Sequence, residues 1–184
     1  RLLRCPGTFT VVEAGAGNGL LCRDIIAHSA HLPPDFRRSL RYICLDRRPA
    51  AGAERGLAHR DGMPLVARAA ASGLPLQPFV GCVLSNELLD SYPVHQVTVR
   101  QGSLREVFVG LRGEDLVEVI GEQSTPALAA RLGDLGVEIA EGQTAEINLD
   151  LDRWAHELES VLDQGFVLTI DYGHWAEELY SAER

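Results

Sequence analysis

The chain has 184 residues, of which 46% are hydrophobic and 23% are charged, so its length and composition are those of a globular protein with a buried core. Its net charge of −9 argues against general nucleic-acid binding, which needs clustered positive charge. All 17 basic residues are arginine, and the absence of lysine excludes both a lysine-containing phosphate loop and Schiff-base catalysis.

The cysteines and the apolar runs favour a cytoplasmic location. The four cysteines are widely spaced and form no C-x-x-C pair, so neither a zinc site nor a disulfide framework is expected. No apolar run reaches the ~18 residues of a membrane helix. The apolar stretch at the start is too short for a signal peptide. We therefore expect no metal, no membrane insertion and no targeting signal.

The first predicted element is a strand, and it leads through a glycine-rich turn into a helix. Residues 8–13 are rich in β-branched side chains, and apolar residues at helical spacing follow Gly15, Gly17 and Gly19. This order is typical of the first unit of a nucleotide-binding α/β fold. Leu20 stands where a dinucleotide-binding loop has its third glycine, which disfavours an NAD-linked enzyme. A glycine turn without a ligand is the alternative.

A second strand is predicted over residues 41–45, and Asp46 follows it. A carboxylate at this position can accept hydrogen bonds from both ribose hydroxyls of a bound nucleoside, so Asp46 supports an adenosine ligand. The alternative is an acid favoured by the dipole of a following helix, which the sequence predicts over 49–59. A short strand is expected near 65–68.

Residues 79–85 form a continuous apolar run, as expected for a parallel strand covered on both faces. Asn86, Glu87 and Asp90 come directly after it. Glu87 and Asp90 are three residues apart, so on a helical turn they would share one face and could hold a guanidinium between them. The alternative is that these two acids cap or solvate a helix.

From residue 94 onward the apolar and polar residues alternate, which predicts an antiparallel β-meander inserted over residues 94–120. Helices over 125–135 and 150–162 and a short strand over 146–149 follow. A last buried strand is predicted over 165–170. Asp171 and His174 come after this strand, where His174 could act as a base or be a solvated loop residue.

Together these elements predict an α/β fold: one doubly wound, mostly parallel sheet in a single domain over residues 1–184, carrying the antiparallel β insertion. Ligands of such sheets bind outside the carboxyl ends of the strands. Glu13, Asp46, the polar cluster at 85–90 and Asp171 all stand at such ends. The histidines lack partners at metal-ligand spacing, so no metal site is predicted.

Three segments, residues 13–19, 86–96 and 170–174, together resemble the MidA-like S-adenosylmethionine (SAM)-dependent methyltransferases. That family includes mitochondrial complex I assembly factors that act on an arginine of a partner subunit. The resemblance implies the Rossmann-like fold of class I SAM methyltransferases, with SAM as the cofactor. The residues that would meet the cofactor are Glu13, Gly15, Gly17 and Gly19 around the SAM site and Asp46 at its ribose.

The resemblance also implies a reaction. Asn86, Glu87 and Asp90 would border the reacting nitrogen, and the protein would methylate an arginine of a partner protein, for example a subunit of respiratory complex I. A non-catalytic assembly or binding module that keeps the fold is the alternative. Members of the family are usually longer at both ends, so this chain is expected to be part of a longer one. The methyl acceptor and the oligomeric state do not follow from the sequence.

Overall fold

The computed structural model describes residues 7–48 and 64–182, so the helix predicted over 49–59 lies outside the described residues. The described residues form nine strands and five α-helices, with 3-10 turns at Ser29–His31 and Leu89–Ser91. In chain order the elements are β1 (Phe9–Ala14), α1 (Leu20–His28), α2 (Pro34–Ser39), β2 (Leu40–Asp46), β3 (Leu65–Ala70), β4 (Phe79–Asn86), β5 (His95–Arg100), β6 (Ser103–Arg112), β7 (Asp115–Gly121), α3 (Ala127–Leu135), β8 (Thr144–Ile147), α4 (Asp150–Val161), β9 (Leu162–Ile170) and α5 (Ala176–Leu179).

The strands form two separate sheets. Five strands in the order β3-β2-β1-β4-β9 are all parallel, and four strands in the order β7-β6-β5-β8 are antiparallel. The predicted α/β class, with a mostly parallel sheet and an antiparallel insertion, is therefore confirmed. The short strand predicted near 146–149 is β8, which belongs to the antiparallel sheet, where it pairs with β5.

The chain divides into two compact units. The first contains the described residues of Arg1–Asp90 and Trp154–Asp171, and the second contains those of Ser91–Arg153 and Tyr172–Arg184. No described helix is both long and apolar enough to cross a membrane.

In the first unit, β1 lies between β2 and β4, so its side chains are buried on both faces of the sheet. Val12 is fully buried in this strand. On one face, Cys22 of α1 packs in a core cluster with Tyr42 and Cys44 of β2. The strand β1 and the first turn of α1 are thus anchored by apolar packing, which fixes the glycine loop that joins them.

The last strand is not buried as the sequence predicts. Phe166, Val167, Leu168 and Ile170 of β9 are each about half exposed, at 46–51% of their full area. Among the described strands β9 pairs only with β4, at the edge of the parallel sheet, so one side of it is open. Its apolar run resembles that of a central strand, but side chains on both of its faces are accessible and its backbone edge away from β4 is unpaired among the described strands.

In the second unit the predicted meander is formed by β5, β6 and β7, which are joined by two-residue turns. Gln101 and Gly102 both have positive φ, at 54° and 71°, which is typical of a type I′ turn, and Gly113 at 67° begins the other turn. The helix α3 covers this sheet with Leu128 and Leu132. The two hairpins therefore follow from the glycines that the sequence shows.

Candidate functional site

The loop between β1 and α1 is held open by its glycines. Gly15, Gly17 and Gly19 have φ of 73°, 52° and 77°, a region that other residues rarely adopt. A Cβ on Gly17 would meet no atom within 4 Å, whereas a Cβ on Gly15 would lie 2.9 Å from Leu88 Cδ1. The loop therefore packs closely against the segment that follows β4 at Gly15 and leaves its backbone accessible at Gly17.

Asp46 connects the end of β2 to this loop. Its Oδ2 accepts the backbone N–H of Gly17 at 2.8 Å, and its Oδ1 accepts that of Arg48 at 2.8 Å. The neighbouring carbonyl of Leu45 accepts the N–H of Ala16 at 2.9 Å. Each carboxylate oxygen can accept more than one hydrogen bond, so Asp46 can hold the loop and still receive the two hydroxyls of a ribose.

Glu13 lies beneath the loop and is only 5% exposed. Its Oε2 accepts the Tyr42 hydroxyl at 2.9 Å and lies 4.0 Å from the Cys44 thiol. Burial raises the pKa of Glu13, although the Tyr42 hydrogen bond and the charge of Arg68 partly oppose this. Glu13, which the sequence predicts to line the cofactor site, thus makes these contacts inside the protein, with residues of β2 and α1.

Arg68 of β3 is a residue that the sequence did not single out. Its Nη1 and Nη2 donate to the Asn18 carbonyl of the glycine loop at 3.2 and 3.3 Å, and its guanidinium fills the space where a Cβ on Gly19 would stand. In the parallel register Arg68 is beside Cys44, which is beside Glu13. The Arg68 guanidinium therefore supports the loop from β3, the edge strand at the opposite side of the parallel sheet from β9.

The predicted reaction residues lie at the end of β4 and in the four residues after it, and they are exposed to solvent. Asn86 ends the strand, and Glu87 has a left-handed φ of 46°, which is unfavourable for a residue with a side chain. The N–H of Glu87 donates to the Ile170 carbonyl at 2.8 Å. The 3-10 turn begins only at Leu89, so the expectation that Glu87 and Asp90 share a face of one helical turn is wrong.

Asp171 joins this segment to the end of β9. Its Oδ2 accepts the N–H of Leu89 at 3.0 Å, which caps the 3-10 turn carrying Asp90. The structure therefore brings the ends of β1, β2, β4 and β9 to one edge of the parallel sheet, as the sequence predicts. His174 belongs to the second unit, where its Nδ1 lies 3.0 Å from Glu178 Oε1.

Metal ligands do not cluster in the part of the chain that the structure describes. Within residues 7–48 and 64–182, no group of three histidine, cysteine or acidic side chains is placed to hold a metal ion. The polar groups at this edge of the sheet include carboxylates, the Asn86 amide, the Arg68 guanidinium and the backbone N–H groups of the loop.

A parallel sheet with a glycine loop after its first strand and a carboxylate after its second defines an α/β protein of the class that binds a nucleoside-containing ligand at the carboxyl ends of its strands. A comparison with protein families identifies the group within this class. The chain belongs to the family described as "Putative S-adenosyl-L-methionine-dependent methyltransferase", whose model matches residues 1–184.

Two solved structures from Burkholderia thailandensis are similar to the whole of this chain. One is described as a "likely methyl transferase" bound to S-adenosyl-homocysteine, with 28% identity and a TM-score of 0.77. The other, a native structure of an uncharacterized protein of the same superfamily, has 26% identity and a TM-score of 0.80. The chain spans 46% and 48% of these proteins, about half of their length. A search of curated proteins finds no match.

Proposed function

We propose that this chain binds SAM at the glycine loop and transfers its methyl group to a nitrogen of an arginine side chain on a partner protein, for example a subunit of respiratory complex I. The observation that carries the proposal is the pairing of Asp46 with Gly17, because it holds a carboxylate that could accept ribose hydroxyls beside an accessible loop. The family match and the related structure bound to S-adenosyl-homocysteine support the choice of cofactor.

The residues present fit an adenosyl ligand. The exposed backbone at Gly17 allows the ligand to approach closely, and Asp46 can accept both ribose hydroxyls. Arg68 holds the Asn18 carbonyl and keeps the loop in this shape. The buried Glu13 stabilises the strand end below through Tyr42. The loop and Asp46 are therefore held in place by the protein's own hydrogen bonds, which would reduce the ordering that ligand binding requires.

The segment after β4 would orient the acceptor. When bound, SAM supplies an electrophilic methyl group on a sulfonium. Glu87 and Asp90 do not share a helical turn, but both carboxylates are exposed within four residues of each other, so each could accept hydrogen bonds from a guanidinium, and the Asn86 amide could add another. The new N–C bond would form as the S–C bond breaks, which leaves S-adenosyl-homocysteine, and the proton lost by the nitrogen would pass to one of the two carboxylates. Positioning is the main catalytic demand, which suits residues held by Asp171 and Ile170.

The test measures transfer and cofactor binding separately. Protein extract is incubated with the chain and methyl-labelled SAM, and labelled proteins are hydrolysed to identify the modified amino acid. We expect methylarginine, with transfer reduced by about 100-fold in Asp90→Ala and S-adenosyl-homocysteine affinity unchanged. Glu159→Ala, on the exposed side of α4, is the matched control.

Three outcomes separate the possibilities. Full turnover in Asp90→Ala contradicts the proposed guanidinium clamp. Labelling of an amino acid other than arginine contradicts the acceptor but leaves the cofactor assignment standing. Binding of S-adenosyl-homocysteine without transfer to any protein supports the alternative, a non-catalytic assembly or binding module.

A further inference from the structure

The hairpin of β6 and β7 extends beyond the rest of the antiparallel sheet. The strand β5 pairs with residues 103–107 of β6, whereas β7 pairs with residues 106–112. Residues 108–112 and 115–119 are therefore a two-stranded ribbon, which we call the β6–β7 arm. A two-stranded ribbon is only marginally stable in water by itself, so a third strand beside it would be favourable.

Large apolar side chains cover the β6–β7 arm and face solvent. Val109, Leu111 and Leu116 are 77%, 73% and 75% exposed, and Leu111 is directly opposite Leu116 in the register. Phe108 and Val119 form an opposite pair on the other face, at 38% and 46%. Side chains of adjacent strands at paired positions form one continuous surface, and exposed apolar surfaces of this kind mark interaction sites.

The outer edge of β7 is also unpaired among the described strands. Arg112 and Asp115 flank the two-residue turn and form its closing pair, which in such a hairpin is a hydrogen-bonded pair. From this pair onward, non-hydrogen-bonded and hydrogen-bonded pairs alternate along the two strands. By this alternation the backbone groups of Leu116, Glu118 and Ile120 point away from β6. An extended peptide can add to such an edge as a further strand.

The charge along this edge selects the partner. Residues 114–122 carry four acids and no basic residue, and within the described structure only Glu122 of these is ion-paired, with Arg105. A second copy of β7 would bring another set of acids against Glu114, Asp115 and Glu118, which is unfavourable. Leu116, Glu118 and Ile120 lie on one face of the sheet, so a strand that places arginine or lysine opposite Glu118, with apolar residues two positions away on either side, is complementary in both shape and charge.

We propose that the β6–β7 arm binds an extended basic segment of a partner protein, which adds to the sheet as a strand beside β7. The arm lies within one compact unit, and binding there does not require methyl transfer. The apolar side chains of the partner strand would cover Leu116 and Ile120, and its basic side chains would contact Glu118.

The probe is a fluorescent peptide that repeats valine-threonine-arginine-threonine, so that valine and arginine alternate along one face of the strand, and its binding to the protein is followed by fluorescence anisotropy. We expect saturable binding that weakens by about tenfold in Glu118→Lys, because an attractive charge becomes a repulsive one. Glu138→Lys, which makes the same change at an exposed acid outside the arm, is the control and should bind as the unaltered protein does.

Two further peptides and one further measurement decide among the occupants. A peptide N-methylated at every residue keeps no backbone N–H group on either edge and cannot pair with a strand edge, so it should not bind, and a peptide with glutamate in place of arginine should bind at least about tenfold more weakly. Equal binding of all three peptides overturns the proposal. Self-association that is lost in Leu116→Ser also overturns it, because a second copy would then be the occupant.

Discussion

The backbone N–H of Gly17 donates to Oδ2 of Asp46 at 2.8 Å, across 29 positions of the chain. This one hydrogen bond joins the glycine loop after β1 to the carboxyl end of β2. Because Oδ1 is held by Arg48 at the same time, the carboxylate has a fixed orientation toward the loop. A ligand that reaches both the loop backbone and the carboxylate therefore meets groups that are already in place.

Replacing Asp46 by alanine should weaken S-adenosyl-homocysteine binding by about 10- to 100-fold, the range for losing charge-assisted hydrogen bonds. Isothermal titration calorimetry measures the change. The control is Asp35→Ala, which removes an exposed acid of α2 that pairs with Arg38. If the two variants bind equally well, Asp46 does not contact the ligand.

Arg68→Met should weaken the same binding by about tenfold, because the Asn18 carbonyl loses its donors and the loop is free to move. The methionine keeps much of the apolar stem. Arg41→Met is the control, since Arg41 also donates to backbone carbonyls, those of Arg38 and Leu40, away from the loop. Unchanged affinity in Arg68→Met would show that the loop holds its shape without the guanidinium.

Asp171→Ala should reduce methyl transfer by about 10- to 100-fold, the cost of a small misplacement of reacting groups. Its carboxylate caps the turn at Leu89 that carries Asp90, so the acceptor side of the site should be disturbed while S-adenosyl-homocysteine affinity stays the same. Steady-state transfer rates and calorimetry together make the test. Asp163→Ala, at an exposed position of β9, the strand that Asp171 follows, should change neither quantity.

Glu106 should make the second unit sensitive to acid. It is buried, which opposes ionisation, but hydrogen bonds from His95 Nδ1 at 2.7 Å and from the Ser124 N–H at 2.6 Å outweigh this and hold its pKa below the ordinary value of 4.5. Because the pKa of Glu106 is lower in the folded protein than in the unfolded chain, ionised Glu106 stabilises the fold at pH values above ~4.5, the ordinary pKa. This stabilisation is lost as the pH falls from ~4.5 toward the pKa of the folded protein.

We therefore expect Glu106→Gln to lower the free energy of unfolding by about 1–3 kcal/mol near neutral pH and to flatten its decline in acid. Urea denaturation at several pH values checks both effects. Glu138→Gln, at an exposed acid of the same unit, should leave the curve unchanged. If the free energy of unfolding of Glu106→Gln falls in acid as steeply as that of the unaltered protein, other carboxylates cause the pH dependence.

The elements with strong local patterns were predictable from the sequence. The glycine loop follows from alternate glycines after an apolar strand, and the meander follows from alternating side chains and turn glycines. The carboxyl-end positions of Asp46 and Asp171 follow from the same strand assignments, because parallel strands place these ends at one edge. Local pattern therefore identified both the fold class and the edge where the candidate site lies.

Features that depend on distant pairing were not predictable. The apolar run of β9 is like that of a buried strand, and its exposure depends on what lies beside it, which composition does not show. The contact of Arg68 with Asn18 requires the register of three strands. The left-handed φ of Glu87 occurs at a residue with no glycine to indicate it. These three features come from tertiary structure.

The most direct test of the central claim is a crystal structure of the chain grown with saturating S-adenosyl-homocysteine. We predict density for the ligand along the loop at Gly15, Gly17 and Gly19, with both ribose hydroxyls within hydrogen-bond distance of the Asp46 carboxylate. Density for the ligand at another place, or a loop whose backbone is covered by protein side chains under these conditions, would contradict the account.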